Sequence, residues 1–341
     1  MTIRIGFLGA GLIARYHSAM LGAAGIAFER TAVFDVDRDR ATAFASTEGG
    51  AVAATEAEVL DACDAVYICT WTSEHRRLVD AACERGLAIF CEKPLSVDLA
   101  GAEAMAAAVA DAGVVNQVGL VLRRSPAFAL LKAIADDPAS GRPMAIVFRD
   151  DQYIPLQGMY ASTWRGDVTK AGAGTLLEHS IHDLDLLEHV LGPIESVSAS
   201  TTDFHGIPGI EDGAVVLARF ASGAIGTLTS VWHDVLERPS LRRVELFTER
   251  SHTTIDGDWY GPVATLQTGN DLQTFEGDAL LAEVRGRGLV VGNPDKGFLE
   301  SVATGTPAWP SFADALRAHV VVDAVYRSAR TGESVAITPP G

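Results

Sequence analysis

Basic residues are scarce in this sequence. Lysine and arginine number 27 against 44 aspartates and glutamates, which gives a formal net charge of −17 at pH 7. Such a surface repels phosphate backbones and anionic lipid headgroups. The composition therefore argues against nucleic acid or a membrane as a partner.

Cysteines and long apolar runs are also few. The four cysteines, Cys63, Cys69, Cys83 and Cys91, have spacings that match no disulfide or zinc framework, so we expect reduced thiols. The opening stretch "MTIRIGFLGAGLIARYHSAML" is broken by glycines and an Arg-Tyr-His triplet before it reaches signal-peptide or membrane-span length. We find no repeat, low-complexity tract or linker. A cytoplasmic protein is the expectation.

The first part of the chain alternates strand-like and helix-like segments. With 48% hydrophobic and 21% charged residues over 341 positions, the composition is that of a folded protein with about two domains. The strand-like runs are "IRIGFLG", "RTAVFDVD", "AVYICT", "LAIFCEKP" and "VVNQVGLVLR", each separated from the next by a helical segment. This alternation predicts an α/β domain, a Rossmann-type, doubly wound parallel sheet covered on both faces.

The pattern changes near residue 123. Longer strand-like runs follow with few helices between them: "MAIVFRDDQYI", "IESVSASTTDF", "GAVVLARF", "AIGTLTSVWHD" and "RRVELFTERSHTTID". They predict an α+β domain on a large, mostly antiparallel open sheet. We assign 1–122 to an NAD(P)-binding domain and 123–310 to a substrate-binding and oligomerisation domain, with a helix at 311–332 that packs back near the first domain. The open sheet face predicts a homodimer or homotetramer.

A glycine-rich turn opens the first helix. "IGFLGAGLIA" places Gly9, Gly11 and Ala14 in GxGxxA spacing after a strand, with Leu12 and Ile13 at the helix start. Glycines let the backbone turn tightly and approach a pyrophosphate, whose charge then lies at the helix N-terminus. A tight turn without a ligand is the alternative.

The second strand ends in an acid. Asp35 follows Gly11 by 24 residues, near the offset of about 20 at which a carboxylate binds the ribose hydroxyls. Since a carboxylate repels a 2′-phosphate, NAD is favoured over NADP. Arg38 and Arg40 follow closely and would suit a phosphate instead, and Asp35 as a plain turn residue is a further alternative.

A Glu-Lys-Pro tripeptide follows the apolar run "LAIF". Ligands of doubly wound sheets bind beyond the carboxyl ends of the strands, which places Lys93 beside the cofactor. Pro94 fixes φ at this turn. The alternative is an exposed loop lysine, the usual environment of lysine.

These motifs resemble those of the glucose-fructose oxidoreductase/inositol dehydrogenase (Gfo/Idh/MocA) family over essentially the full chain. The similar segments are the GxGxxA turn, "TWTSEHRRLVDAACERGLAIFCEKPLS", "VGLVLRRSPAF", "WRGD…AGAGTLLEHSIHDLDLLEHVLG" and "ALRAHVVVDAVYRSARTGESVAI". Trp71 replaces a more common proline, as in the inositol dehydrogenase branch. Ala173 replaces one glycine of a usual triple, and Glu178 stands where the family usually has aspartate.

The resemblance implies roles for individual residues. Lys93 would hydrogen-bond the reacting hydroxyl, Glu92 would help set the lysine and the nicotinamide pocket, and His182 would be the general base with Glu178 as its partner. The residues expected at the cofactor are Gly9, Gly11, Leu12, Ile13, Asp35, Thr70, Trp71, His75, Glu92 and Lys93. Those expected at the substrate are Lys93, Arg123, Trp164, Arg165, His179, His182 and His233, with Asp167 and Lys170 as further candidates.

The segment after the glycines has an amphipathic pattern. Its apolar residues at helical spacing are Ile181, Leu184, Leu187 and Leu191, while the polar ones are Glu178, His182, Asp185 and His189. One continuous helix would let Glu178 reach His182 at i, i+4 and set its basicity. A solvated polar face is the alternative. A metal held by His179 and His182 with nearby carboxylates is another, but it would leave the dinucleotide-type turn unexplained, so we expect no metal.

The expected function is NAD-dependent oxidation of a secondary alcohol on a sugar, a cyclitol such as an inositol, or a sugar acid. A base and a cation at the C–OH group are needed for this reaction, and His182 and Lys93 would supply them. One alternative is a sugar lyase or glycosidase that retains NAD. Another is a non-catalytic, dinucleotide-sensing binding protein.

Overall fold

A computed structural model describes residues 2–238, 240–257 and 262–338. The chain divides into two compact units, each described by itself below. The first comprises Met1–Leu120 with Asn293–Leu316, and the second comprises Val121–Gly292 with Arg317–Gly341. Residues 293–310, which the sequence analysis assigns to the second domain, thus lie in the first unit.

The strands and helices are numbered along the chain. The strands are β1 (Ile3–Leu8), β2 (Phe28–Phe34), β3 (Ala51–Val52), β4 (Ala65–Ile68), β5 (Ala88–Cys91), β6 (Asn116–Val118), β7 (Pro143–Tyr153), β8 (Ile194–Thr202), β9 (Gly213–Phe220), β10 (Ile225–His233), β11 (Leu241–Thr248), β12 (Ser251–Asp256), β13 (Val263–Thr268), β14 (Asp271–Phe275) and β15 (Val335–Ala336). The α-helices are α1 (Leu12–Gly22), α2 (Arg38–Glu48), α3 (Glu56–Asp61), α4 (His75–Cys83), α5 (Leu99–Ala112), α6 (Pro126–Asp136), α7 (Val168–Ala171), α8 (Thr175–Glu178), α9 (Ile181–Leu191), α10 (Gly277–Gly286), α11 (Pro294–Thr304) and α12 (Phe312–Thr331).

The first unit is built on a six-stranded parallel sheet. Its strand order is β3-β2-β1-β4-β5-β6, and every neighbouring pair is parallel. All residues of β4 and β5 are buried, as expected for parallel strands covered on both faces. The order reverses between β1 and β4, where doubly wound sheets bind their ligands. The predicted Rossmann-type sheet is confirmed.

Aromatic packing holds the central strands of this sheet together. The rings of Phe7 and Tyr67 stack at 5.1 Å and those of Tyr67 and Phe90 at 4.6 Å, so that β1, β4 and β5 share one aromatic layer. Phe298 of α11 meets both Tyr67 and Phe90 edge-on at 5.6 Å. This layer fixes the three strands whose carboxyl ends carry the predicted cofactor turn and the Glu-Lys-Pro loop.

The second unit is built on a nine-stranded sheet. Its order is β14-β13-β12-β11-β7-β10-β9-β8-β15, and all pairs are antiparallel except β7 with β10. In β9, Val216, Ala218 and Phe220 point into the core, whereas Val215 and Leu217 are each 52% exposed. This period of two is that of a sheet with one covered face. The predicted open, mostly antiparallel sheet is confirmed.

Two details of the second unit differ from expectation. The run 242–256, predicted as one strand, is the hairpin of β11 and β12, because the hydroxyl of Thr248 accepts the Ser251 N–H at 2.9 Å and donates to the carbonyl of Ser140 at 2.6 Å. These bonds turn the chain at residues 249–250. The second difference is α6 and α10, two helices of this unit that the sequence analysis did not predict and that contribute to its core.

Candidate active site

The glycine turn after β1 depends on Gly9. Its φ is +90°, in the left-handed region, and a Cβ there would overlap the backbone carbonyl of Cys69. The Gly9 N–H donates to the carbonyl of Phe34 at 2.8 Å. Only glycine meets these conditions without strain, so this residue is needed for the turn itself.

Gly11 is different because nothing in the described protein requires it to be glycine. Its φ is −74°, and no atom lies within 4 Å of an added Cβ. It is the N-cap of α1, and no side chain in the described part of the chain caps that helix start. Leu12 and Ile13 are 56% and 38% exposed beside it. Open space over uncapped amides fits the pyrophosphate of a dinucleotide.

Asp35 lies between the glycine turn and the loop after β2. Its Oδ2 accepts the Ala10 N–H at 2.8 Å, and its Oδ1 accepts the Asp37 N–H at 2.8 Å. The carboxylate is half-buried and oriented by both backbone groups. Its predicted contact with the ribose hydroxyls stays a prediction.

The strand register aligns the predicted cofactor residues of the first unit along one edge. Leu8 pairs with Ile68 and Ile68 pairs with Cys91, so β1, β4 and β5 end level with one another. Neighbouring strands lie about 4.8 Å apart. The glycine turn, Thr70 with Trp71, and Glu92 with Lys93 therefore follow adjacent strand ends.

The Glu-Lys-Pro loop is anchored on both sides of Lys93. Glu92 and Pro94 are buried, Lys93 is half-buried, and the Lys93–Pro94 peptide is cis. The His75 ring lies against two backbone carbonyls, with Nδ1 2.9 Å from the oxygen of Pro94 and Nε2 3.4 Å from that of Thr70. His75 therefore joins the β4 and β5 loops, while its predicted cofactor contact stays a prediction.

His17 is a functional candidate that the sequence analysis missed. Its Nε2 lies 2.8 Å from Oε1 of Glu92 and its Nδ1 lies 2.8 Å from Oδ1 of Asp295, with the ring fully buried. Burial opposes the charged ring, but the carboxylates of Asp295 and Glu92 overcome it and raise the pKa of His17 to about 10. Burial likewise opposes the charge of Glu92, and the bond from His17 lowers the pKa of that carboxyl nonetheless. These residues are 75 and 278 positions from His17, so no local pattern connects them.

In the second unit, the predicted helix through Glu178 and His182 is interrupted. α8 ends at Glu178, and α9 begins at Ile181 after a non-helical His179 and Ser180. The hydroxyl of Ser180 donates to Ser230 at 2.6 Å and lies 3.3 Å from Oδ2 of Asp150, which pulls this position toward the sheet. The prediction of one continuous helix is therefore wrong, although the apolar stripe of α9 is buried as predicted. The partnership of Glu178 with His182 stays a prediction.

Glu178 is bound by a predicted substrate residue. Its side chain is buried, and its Oε2 accepts from Nε of Arg165 at 3.1 Å. The Arg165 guanidinium also donates to Ser162 at 2.8 Å and lies 4.4 Å from the centre of the Trp164 ring. The structure thus groups Glu178, Trp164 and Arg165.

A buried charge cluster surrounds His179. Its Nε2 is 2.8 Å from Oδ2 of Asp150 and 3.4 Å from the guanidinium of Arg242. The same arginine donates to Asp183 at 2.7 Å and to Asp150 at 3.2 Å. Burial, against the opposing charge of Arg242, raises the pKa of Asp183 to about 7. The cluster joins β7, β11 and the start of α9.

Two more of the predicted substrate residues, Arg123 and His233, lie beside carboxylates. Arg123 donates to both oxygens of Asp185, at 2.8 and 2.7 Å. Nε2 of His233 is 3.5 Å from Oδ2 of Asp151. Of the two further candidates, Asp167 caps α7 and accepts from Thr169, and Lys170 lies 3.5 Å from the Asp167 carboxylate.

The carboxylates suspected as metal ligands are bound by arginines. Glu178 pairs with Arg165, Asp183 with Arg242 and Asp185 with Arg123. A neutralised carboxylate is a poor ligand for a cation, so this pairing disfavours a metal there. Among the described residues, no group of three or more His, Cys, Asp or Glu side chains is placed to hold a metal ion.

A doubly wound parallel sheet with an open glycine turn and a lysine at a neighbouring strand end defines a dinucleotide-binding domain. A family model described as an oxidoreductase family with an NAD-binding Rossmann fold matches residues 3–120, and one described as the GFO/IDH/MocA C-terminal domain matches residues 128–252. The chain belongs to the Gfo/Idh/MocA family of oxidoreductases. Its first unit is an NAD-binding Rossmann domain.

Individual relatives agree with this assignment. A myo-inositol 2-dehydrogenase of Thermotoga maritima is 30% identical over 74% of this chain and 75% of its own length. A 1,5-anhydro-D-fructose reductase of Ensifer adhaerens is 34% identical over 65% of this chain and 67% of its own. A solved levoglucosan dehydrogenase with NADH shares the fold, with a TM-score of 0.86, 22% identity and full coverage of both chains. The named relatives are dehydrogenases and reductases, consistent with an oxidoreductase of CH–OH groups. None of the described helices is long and apolar enough to span a membrane.

Proposed function

We propose that the protein is an NAD-dependent dehydrogenase that oxidises a secondary alcohol of a ring-shaped polyol, a sugar or a cyclitol. The observation that carries the proposal is the level ending of β1, β4 and β5, which aligns the open turn at Gly11 with the loop of Lys93. The names of the relatives, an inositol dehydrogenase and an anhydrofructose reductase, support the substrate class.

Lys93 is proposed to stabilise the alkoxide that develops on the substrate. Its ammonium follows a buried carboxylate and precedes a buried proline, so the loop offers one half-buried cation between two anchored neighbours. A cation fixed in a partly desolvated position stabilises a developing negative charge more strongly than one in water. A bound nicotinamide would supply the hydride acceptor, and Gly9, Gly11 and Asp35 would hold the dinucleotide.

His182 is proposed to take the hydroxyl proton. It is half-buried at the start of α9, between the buried residues Ile181 and Asp183, so it is the member of this stretch that reaches toward solvent. Glu178, held by Arg165, is proposed to orient it electrostatically. The geometric basis is the position of the Glu178 carboxylate, which Arg165 fixes, rather than one continuous helix.

The charge pairing favours a neutral polyol over a sugar acid or sugar phosphate. The predicted substrate residues Arg123, Arg165 and His179 each have a carboxylate partner. The charge of a cation paired in this way is already compensated, so it attracts an anion weakly. An acidic substrate would have to compete with these internal carboxylates.

NAD is proposed over NADP because of Asp35, whose oriented carboxylate would repel a 2′-phosphate.

A homodimer or homotetramer through the sheet of the second unit is also proposed. That sheet exposes a row of apolar side chains on its uncovered face, namely Val147, Val215, Leu217, Val231 and Phe247. Such a patch usually marks a protein interface.

The proposal is tested by mixing the protein with NAD and a panel of cyclitols, neutral sugars, sugar acids and sugar phosphates, and following the absorbance of reduced nicotinamide. We expect a signal with neutral polyols that Lys93→Met abolishes. Lys296→Met is the matched control, since Lys296 is a half-exposed lysine of α11 in the same unit.

Each other outcome contradicts part of the proposal. A signal from acidic substrates alone would overturn the charge argument. Substrate turnover without net reduction, with NAD released only on denaturation, would indicate a lyase or glycosidase. No turnover of any compound, with ligand binding intact in Lys93→Met, would indicate a binding protein.

A further inference from the structure

The first unit contains a triad of charged side chains, Glu92, His17 and Asp295, next to the Glu-Lys-Pro loop. His17 of α1 lies between Glu92, at the end of β5, and Asp295 of α11, with both ring nitrogens 2.8 Å from a carboxylate oxygen. Each of the three residues is less than a tenth exposed. The triad therefore links the loop that contains Lys93 to two helices of the same unit, α1 and α11.

The geometry defines the charge of His17. A neutral imidazole has one N–H and one acceptor nitrogen, whereas carboxylate oxygens only accept. With an ionised carboxylate at each nitrogen, both must be donors, and the ring is then an imidazolium. The pKa of about 10 agrees with this assignment.

Glu92 is consequently held from several sides. Its Oε1 accepts from His17, and its Oε2 lies 3.2 Å from the backbone nitrogen of Lys93, which donates to it. Gly119 leaves room for this carboxylate, since a Cβ at that position would overlap Oε1. A change of charge or position at Glu92 would therefore reach Lys93 directly.

We propose that His17 is a positioning residue for the reaction: it keeps Glu92 ionised and fixed, and Glu92 in turn keeps the Lys93 ammonium charged and placed for the substrate oxygen. The proposal rests on the proposed function, because it assumes that Lys93 acts on the substrate. Neither His17 nor Asp295 touches the reacting atoms in this account.

Other titratable groups near the triad stay neutral around neutral pH. Burial, followed by the charges of nearby carboxylates, raises the pKa of Tyr67 on β4, of Cys69 after β4 and of Cys91 on β5 well above their ordinary values. Lys93 is a further cation that lowers the pKa of Glu92. A new titration in a His17 variant would therefore come from Glu92.

The kinetic test compares His17→Gln, Glu92→Gln and the double variant. Without the imidazolium, the Glu92 carboxylate stays buried but loses the bond from His17 that opposes the effect of burial, so its pKa rises and it takes up a proton more readily. We expect kcat of His17→Gln to fall roughly 10- to 100-fold with a new acid limb in the pH profile, since small misplacements of catalytic groups cost this much. In the Glu92→Gln background, His17→Gln should have little further effect.

Val59→Ala is the matched control. Val59 is fully buried in α3 of the same unit and belongs to a different hydrophobic cluster from the layer around His17. It should lower stability and leave the pH profile unchanged. If His17→Gln keeps the wild-type profile, or if its effect adds to that of Glu92→Gln, the proposal is wrong.

A second measurement needs neither activity nor a variant that folds. Nitrogen-15 NMR of the histidine rings in the wild-type protein should show His17 as an imidazolium at pH 8. A neutral ring at that pH would overturn the proposal for any substrate. A charged His17 in a protein that oxidises no polyol would instead refute the proposed function and leave the charge assignment intact.

Discussion

Gly11→Ala should separate cofactor binding from folding. An alanine Cβ at this position meets no atom within 4 Å, and the φ of −74° suits any residue. Replacing glycine gains about 0.4–1 kcal/mol through the unfolded state. Alanine is a poorer N-cap than glycine by roughly 0.5–1 kcal/mol. The two terms nearly cancel, so the free energy of unfolding should change by less than about 1 kcal/mol.

The affinity for NAD should respond much more strongly. The methyl group would enter the space through which a pyrophosphate approaches the amides at the start of α1. Loss of one charge-assisted hydrogen bond costs about 1.5–3 kcal/mol, which corresponds to a roughly 10- to 150-fold weaker Kd.

Calorimetric titration with NAD and urea unfolding without NAD measure the two effects. Gly22→Ala, at the other end of the same helix, is the control, because its nearest neighbour is an arginine side chain at 3.6 Å. It should leave the affinity for NAD unchanged and raise the free energy of unfolding by about 0.4–1 kcal/mol. Wild-type NAD affinity in Gly11→Ala, or a large loss of stability, would refute the reasoning.

Three further predictions concern stability, cofactor choice and pH. Gly174→Ala should destabilise the second unit by roughly 1–3 kcal/mol in urea unfolding, since a Cβ there would overlap the backbone of Glu211, whereas Gly286→Ala, with open space around it, should not. Asp35→Asn keeps an acceptor for the Ala10 N–H but removes the negative charge that would repel a 2′-phosphate. The dissociation constant of NADP divided by that of NAD should therefore fall about tenfold or more. An unchanged ratio would contradict the role of the carboxylate. The difference in free energy of unfolding between the wild type and His17→Gln should be greatest below pH 6.5 and should fall by up to about 1.4 kcal/mol per pH unit toward pH 10. The reason is that in this range the folded protein keeps a proton on His17 that the unfolded protein releases. A difference that does not change with pH would contradict a raised pKa of His17.

The first unit could be predicted largely from local patterns. Buried runs such as "AVYI" and "AIFC" have the composition of parallel strands, and the turn at Gly9 has the left-handed backbone that its glycine indicates. The hairpin of β13 and β14 was missed because β14 is almost wholly exposed and has no buried alternation. Its pairing with β13 defines it, and pairing between strands is not visible in one segment.

Only those parts of the site that consist of consecutive residues could be predicted from the sequence. The Glu-Lys-Pro loop lies at the expected strand end, and the glycine turn opens the expected helix. Asp295 could not be connected to His17 from the sequence because the contact is tertiary. The continuous helix through Glu178 failed for the same reason, since bonds from Ser180 to the neighbouring strands outweigh helical spacing.

The central proposal is that Lys93 and His182 act on the same C–OH group. A double-mutant cycle on kcat/KM with Lys93→Met, His182→Gln and the combined variant tests it most directly, using the polyol that gives the strongest signal in the panel. Residues that act as a unit are strongly non-additive, so we predict that the combined variant is about as slow as the slower single variant. Losses that simply multiply, or a single variant with wild-type activity, would contradict the account.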